Sequence, residues 1–232
     1  MNKLNTILPV FNEKDSIEYV LQEWKQELDK LNITYSFVVC EDGSTDGTKE
    51  LLVQLQKKYP LVLNQKQERR GYGRAVIDGI KSADTEYILC VDSDGQCDPK
   101  DFKKFWDNRK KGDVLIGWRI NRLDPFQRKI FSFMFKKVFF LLFPTSIHDP
   151  SAPFVLFKKK NINEYINYLT YLNEGFWWGF VGLCHKKKLK LYEIQINHRP
   201  RLRGVTQVYK LEKILNIASR NLVGLFKLKL LK

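Results

Sequence analysis

Two hydrophobic periods alternate along the first half of the chain. Leu4 to Val10 is an apolar-rich run of strand length, and from Asp15 to Leu31 the residues Ile17, Val20, Leu21, Trp24 and Leu28 recur at three- and four-residue steps, as one helix face requires. The alternation continues with a strand at Tyr35 to Cys40, a helix at Thr48 to Tyr59, a short strand at Leu61 to Asn64, a helix at Gly73 to Ala83 and a strand at Tyr87 to Val91. Asp98-Pro99 pairs an N-cap with proline at the first helical position, which predicts a helix to about Lys111, and Val114 to Gly117 returns to the sheet. Strands separated by helices predict an α/β chain whose parallel sheet is covered on both faces.

The second half changes character. Asp124-Pro125 opens a Phe-rich helix to about Phe143, followed by a strand at Phe154 to Phe157, a helix near Asn161 to Leu169 and a strand at Leu191 to Asn197. A final helix runs from Tyr209 to about Leu225 and ends in the basic-apolar tail Phe226 to Lys232. No internal repeat or low-complexity linker separates the halves, so one continuous domain is expected.

Composition sharpens this picture. The 232 residues carry 40 Lys+Arg against 26 Asp+Glu, a net charge of +14 that favours an anionic partner: nucleic acid, an anionic membrane or a phosphorylated substrate. Cys40, Cys90, Cys97 and Cys184 form no C-x-x-C pair, which fits a reducing cytoplasm. The N-terminal apolar stretch is short and gives way to Asn12-Glu13-Lys14, so no export signal is expected. Phe131 to Phe143, the most apolar window, is broken by Lys136 and Lys137, so a membrane-spanning helix is not expected.

In a parallel sheet, ligands bind outside the carboxyl ends of the strands. Three polar clusters fall there: Pro9, Phe11, Asn12 and Glu13; Glu41 to Gly47; and Asp92-Ser93-Asp94-Gly95-Gln96. Carboxylates gathered on one edge repel unless a cation neutralises them, which suggests a divalent metal. In an extended segment Asp92, Asp94 and Gln96 project to one side as hard oxygen ligands, a set that suits Mg²⁺ or Mn²⁺ completed by substrate phosphates; a solvated acidic turn is the plainer alternative. Gly71-Tyr72-Gly73 lacks the third glycine of a dinucleotide fingerprint and the Gly-Lys-Ser/Thr ending of a phosphate loop, leaving a tight helix-opening turn.

Taken together, Ile7-Leu8-Pro9-Val10-Phe11-Asn12-Glu13, Glu41 to Thr48, Gly71-Tyr72-Gly73-Arg74-Ala75 and Asp92 to Gln96 resemble the family 2 glycosyltransferases of GT-A fold, nearest to the dolichyl- or polyprenyl-phosphate mannosyl- and glucosyltransferases. The resemblance weakens after about Asn161. It implies a single GT-A domain with a nucleotide-sugar half (1–118), an acceptor half (119–208) and a C-terminal basic amphipathic helix (209–232). It further implies that Pro9, Phe11, Glu13, Cys40 and Asp42 line the nucleoside pocket, that Asp92 and Ser93 lie near ribose and phosphate, and that Asp94 and Gln96 hold the metal. Arg119 and Arg201 match arginines that meet the nucleotide sugar, and Arg128 with Ser132 matches positions that meet the acceptor phosphate. Arginine is also what chemistry would select, because its planar fork bonds two phosphate oxygens at once.

The chain departs from the family pattern in four places. Glu41-Asp42 replaces the usual Asp-Asp, Gln207 stands where a lysine is expected, the loop between Arg119 and Arg128 is short, and Gly179-Phe180 follows Trp177-Trp178 where a glutamate is expected.

Relatives that glycosylate a hydroxyl need a general base and carry Gln-x-x-Arg-Trp, which this chain lacks. A phosphate monoester is already anionic, so the expected reaction is direct, inverting attack by a lipid phosphate on a GDP- or UDP-hexose, with Asp94, Arg119, Arg128 and Arg201 as the catalytic groups. Asp149 falls near the acceptor in this resemblance, in a helix-to-strand turn. The greasy helix from Phe126 to Phe143, with Lys129, Lys136 and Lys137, is expected to dock on the inner face of a membrane as a peripheral contact; the C-terminal helix adds Lys210, Lys213, Arg220, Lys227, Lys229 and Lys232. Two other readings compete: transfer to a saccharide, with Asp149 as base, and a non-enzymatic basic module. Nucleic acid is not the expected partner, because acidic clusters at strand ends have the wrong sign for a backbone-tracking groove.

Overall fold

The computed structural model describes residues 3–120, 126–201 and 211–231. Seven strands form one sheet in the order β3-β2-β1-β4-β6-β5-β7. These are β1 (Lys3–Val10), β2 (Thr34–Asp42), β3 (Leu61–Lys66), β4 (Tyr87–Cys90), β5 (Val114–Ile120), β6 (Val155–Lys158) and β7 (Leu191–Asn197). The helices are α1 (Ile17–Asp29), α2 (Thr48–Leu55), α3 (Tyr72–Ser82), α4 (Phe102–Asn108), α5 (Phe126–Leu142), α6 (Lys159–Ile162), α7 (Phe176–Lys186) and α8 (Leu211–Leu230). This is the mostly parallel, helix-flanked sheet of the GT-A fold.

Each face of the sheet buries its own core. On one side α1 lays down Ile17, Val20, Leu21, Trp24 and Leu28, the residues its spacing singles out, and Trp24 packs against Phe102 and Phe154 with ring centroids 6.1 and 5.7 Å away. On the other, Ile7, Val38 and Ile88 meet α3, α7, Phe139 of α5, Phe143 just beyond that helix, and Leu225 and Leu228 of α8. Burying such large apolar side chains contributes about 1.5–3 kcal/mol each before ordering costs.

The sheet is mostly parallel, as expected, and its exception is β6, which runs antiparallel to both β4 and β5; a four-residue apolar run carries no mark of strand direction. Two elements differ from the sequence expectation. The helix expected near Asn161 to Leu169 is instead α6 followed by a 3-10 turn at Ile166–Tyr171. Helix α7 is not anticipated at all: Phe176, Trp177, Gly179, Phe180, Val181, Gly182, Leu183 and Cys184 are all buried, so it has no polar face to set a period. The basic tail after Leu225 continues α8 to Leu230, and the expected start of that helix at Tyr209 lies outside the described residues.

Candidate active site

The carboxyl ends of β1, β2 and β4, with Arg119 of β5, enclose a cavity of about 520 Å³. Its walls hold Pro9, Phe11, Glu13, Asp42, Asp92, Ser93, Asp94, Gln96, Arg119 and Arg201, all sequence candidates.

After β1 the chain turns at Asn12 in the left-handed region (φ 55°), a conformation asparagine accepts more readily than most residues. Asn12 N–H donates to Ser44 Oγ at 2.9 Å, Thr45 N–H donates to Asn12 Oδ1 at 2.9 Å, and Glu13 N–H donates to Thr48 Oγ1 at 3.0 Å, lacing the ends of β1 and β2 together. Glu13 is buried, which pushes its carboxyl above the usual range; the Ser16 hydroxyl, donating at 2.6 Å, and the Arg201 guanidinium work against that shift.

At the end of β2, Asp42 accepts the backbone N–H groups of Arg70 (2.9 Å) and Gly71 (2.7 Å), pinning the turn into α3. Cys40, expected in the nucleoside pocket, is not there. It lies one strand step below Asp42, 2% exposed, where α3 packs so closely that a Cβ on Gly79 would come within 3.0 Å of its Sγ.

At the end of β4, Ser93 Oγ donates to the Pro9 carbonyl at 2.8 Å and fixes the turn. Tyr72 donates to Asp92 Oδ1 at 2.7 Å and accepts from Trp177 Nε1 at 2.7 Å, a chain that ties α7 and α3 to the acidic segment. Burial, followed by the Asp94 charge, pushes the Asp92 carboxyl up to about 7. Gln96 N–H donates to Asp94 Oδ1 at 3.0 Å, and Arg201 Nη1 lies 3.6 Å from Asp94 Oδ2. Gln96 Nε2 donates to the Arg199 carbonyl at 3.3 Å, an orientation that commits its amine side to protein.

The donor set fits a hard divalent cation. Asp92 and Asp94 supply carboxylate oxygens and Gln96 a carboxamide oxygen, alternating along one segment at the cavity wall, and their mutual repulsion is relieved by positive charge. Among the described residues no group of three or more His, Cys, Asp or Glu is placed to hold a metal ion by itself.

Across the cavity, Arg119 donates from Nε to Asp149 Oδ2 (2.7 Å) and from Nη2 to Asp149 Oδ1 (3.0 Å) and Ser151 Oγ (2.7 Å). Asp149 therefore grips the arginine. Of the acceptor-side candidates, Ser132 is half-buried on α5 and does not line the cavity, and the side chain of Arg128 lies outside the described residues, as does Gln207. Arg69, Arg70, Tyr72, Asn173 and Trp177 also line the cavity and are not singled out from sequence. The arginine dyad ahead of Gly71 was the available signal, since cations at a helix N-terminus oppose the macrodipole and so call for another explanation.

The model of the family described as Glycosyl transferase family 2 matches residues 6–166, and the chain belongs to that family. It is similar to a dolichol-phosphate mannosyltransferase of Pyrococcus furiosus (32% identity, covering 56% of this chain and 38% of that protein). It is also similar to a dolichyl-phosphate beta-glucosyltransferase of Dictyostelium discoideum (26% identity; 97% and 77%). The chain thus spans well under half of the archaeal relative and about three quarters of the other. Among solved structures, glucosyl-3-phosphoglycerate synthase of Mycobacterium tuberculosis in complex with Mn²⁺, UDP and phosphoglyceric acid shares the fold, with a TM-score of 0.75 at 14% identity over 100% of this chain and 80% of that one.

Proposed function

We propose that this chain transfers a hexose from a GDP- or UDP-sugar to a polyprenyl phosphate, with Mg²⁺ or Mn²⁺ and with inversion at the anomeric carbon. The supporting observation is the composition of the cavity: Asp92 and Asp94 on one wall, four arginines among the other lining residues, and, among the described residues, Glu13, Asp42 and Glu174 each already bonded to protein groups. Asp149, the base that transfer to a saccharide would need, has both oxygens bonded to Arg119, which disfavours that reading. The likeness to a dolichol-phosphate mannosyltransferase and a dolichyl-phosphate beta-glucosyltransferase supports the acceptor, and family membership replaces the reading as a non-enzymatic basic module.

Asp94 and Gln96, with Asp92 beside them, would hold the cation. When bound, that ion screens the pyrophosphate and stabilises its departure. Phe11 and Pro9 would wall the nucleoside, while Glu13 holds Arg201 beside Asp94 and Asp149 holds Arg119 across the cavity. In the transfer, an acceptor phosphate oxygen forms a bond to the anomeric carbon as the bond to the pyrophosphate oxygen breaks, and the nucleoside diphosphate leaves. No proton is removed, because the acceptor is already an anion.

The acceptor's lipid tail calls for a membrane contact. Among the described residues no helix is long and apolar enough to cross a membrane. The Phe-rich helix divides its faces: Phe139, with Phe143 just past its end, is buried, whereas Phe133 (58%), Met134 (60%) and Leu141 (84%) are exposed. Phe226 (51%) and Leu230 (79%) are exposed on neighbouring α8, and Lys229 reaches the Leu142 carbonyl at 2.7 Å. Apolar tips among Lys136, Lys137, Lys227 and Lys229 suit a peripheral contact with the anionic inner leaflet.

A thermal-shift screen of nucleotide sugars with and without Mn²⁺ tests the donor. A GDP- or UDP-hexose should raise Tm only when the ion is present, and no response to any nucleotide sugar would refute the reading.

A further inference from the structure

We infer that Glu193, on edge strand β7 and not among the residues that line the cavity, is a positioning residue for the transfer: it fixes the turn that carries Asp149 and, through Asp149, the Arg119 guanidinium. This rests on the reading above, in which Arg119 faces the donor phosphates.

The strand places a carboxylate on an inward face. Side chains alternate along β7: Ile194 and Ile196 pack into the core beside α1, and Leu191 packs against the opposite core, on the face that Glu193 shares. The Glu193 side chain is only 11% exposed, so its oxygens need donors from within the protein.

The turn after α5 supplies them. Glu193 Oε1 accepts the Asp149 N–H at 2.9 Å, and Oε2 accepts the His148 N–H at 3.0 Å. His148 Nδ1 lies 2.7 Å from the same Oε2, and because a carboxylate offers only acceptors, the ring donates. The imidazole also lies flat on Trp118, with ring centroids 4.2 Å apart at 11°. The turn is thus held from β7 by the carboxylate and from β5 by the indole next to Arg119.

Asp149 is the next link. It grips Arg119 with both oxygens, and Ser151 Oγ, which accepts from Arg119 Nη2, donates to Asp149 Oδ1 at 2.9 Å. The guanidinium is therefore seated on one short turn and goes where that turn goes. In the register of β5 and β7, Glu193 lies opposite Ile116, three residues before Arg119 and about 10 Å back along the strand, so it acts through the turn. Two acceptors side by side are what the task needs. A glutamine would present its amino group to one of the two N–H donors, and an aspartate falls one methylene short. Charge on the leaving pyrophosphate grows toward the transition state, so a displaced guanidinium costs kcat rather than KM.

The test is steady-state transfer to polyprenyl phosphate from a panel of GDP- and UDP-hexoses with MgCl₂. It compares the full chain with Glu193→Gln, Glu193→Ala, Arg119→Lys and the Arg119→Lys/Glu193→Gln double variant, and calorimetry gives the Tm of each. Glu193→Gln, which keeps one acceptor, should lower kcat about tenfold and Glu193→Ala about a hundredfold, with the donor KM within about threefold of wild type. In the Arg119→Lys background, Glu193→Gln should change kcat by less than about twofold, because the fork it positions is already gone. Wild-type kcat in Glu193→Gln or in a folded Glu193→Ala overturns the assignment, even where Tm falls, and so does a loss carried by KM alone. Losses that multiply in the double variant overturn it too, since Glu193 would then act by a route other than Arg119. Each of these results leaves the proposed function standing. A wild type that transfers from none of the sugars overturns that function, and this inference with it.

Discussion

Arg119 and Asp149 face each other across two hydrogen bonds, 2.7 and 3.0 Å long, with their side chains only 9% and 6% exposed. The pair gives Asp149 a definite task, which is to hold the guanidinium rigid at the cavity wall. Breaking a buried ion pair by removing one partner costs about 3–5 kcal/mol, because the other charge is left uncompensated. Asp149→Ala should therefore lower thermal stability markedly and depress transfer activity. Asp149→Asn keeps the shape and one acceptor, so it should recover much of the stability but little of the activity. Calorimetry beside an activity assay separates these effects; an active, fully stable Asp149→Ala enzyme would show the pair to be incidental.

Tyr72 stands between Trp177 and Asp92, and its hydroxyl is used twice. Tyr72→Phe leaves a buried indole N–H without its acceptor, a loss of about 1–3 kcal/mol, and removes one restraint on Asp92. The expected result is a lowered Tm together with weaker Mg²⁺-dependent nucleotide binding. Trp177→Phe should reproduce the stability loss with a smaller effect on binding, since Tyr72 can still donate to Asp92. Titration of GDP or UDP at fixed Mg²⁺ measures the difference.

How far the site can be read from sequence follows from where its information lies. The clusters after β1, β2 and β4 are legible because an apolar run ending in polar residues marks the mouth of a parallel sheet, and residues from all three do meet in one cavity. Cys40, which the family resemblance assigns to the nucleoside pocket, packs instead beneath α3 against Gly79, because a motif match carries no information on which way a strand residue faces. The tyrosine–tryptophan chain is invisible because it joins positions 105 residues apart, one of them on a helix whose apolar sequence hides its period. Asp149 is noticed but not understood, since its partner lies 30 residues earlier, at the end of β5.

The packing of α8 on the turn at Ile166–Tyr171 offers a test. Gly224 sits where a Cβ would approach the Tyr171 carbonyl oxygen to 2.4 Å, and backbone cannot yield as a flexible side chain would. Gly224→Ala should cost about 2 kcal/mol, or roughly 4–8 °C in Tm. The adjacent turn at Gly175, whose N–H donates to Asn221 Oδ1 at 3.1 Å, should loosen with it, which amide exchange would report.

Membrane contact through α5 and α8 predicts a specific loss. Replacing exposed Phe226 and Leu230 with serine removes two apolar insertions of about 1.5–3 kcal/mol each, so binding to anionic vesicles should fall by at least tenfold while nucleotide binding persists. Co-sedimentation with phosphatidylserine-containing and neutral vesicles reads this directly. Equal binding to both, unaffected by the double substitution, would place the contact elsewhere.

The central claim is that sugar passes within this cavity to a lipid phosphate. Its most direct measurement is the fate of labelled hexose when the enzyme is incubated with a GDP- or UDP-hexose, Mg²⁺ and polyprenyl phosphate. Label should enter the organic phase as a mild-acid-labile glycolipid, and Asp94→Ala should abolish that transfer. Label appearing in a water-soluble saccharide instead, or an Asp94→Ala variant that transfers at the wild-type rate, would contradict the account.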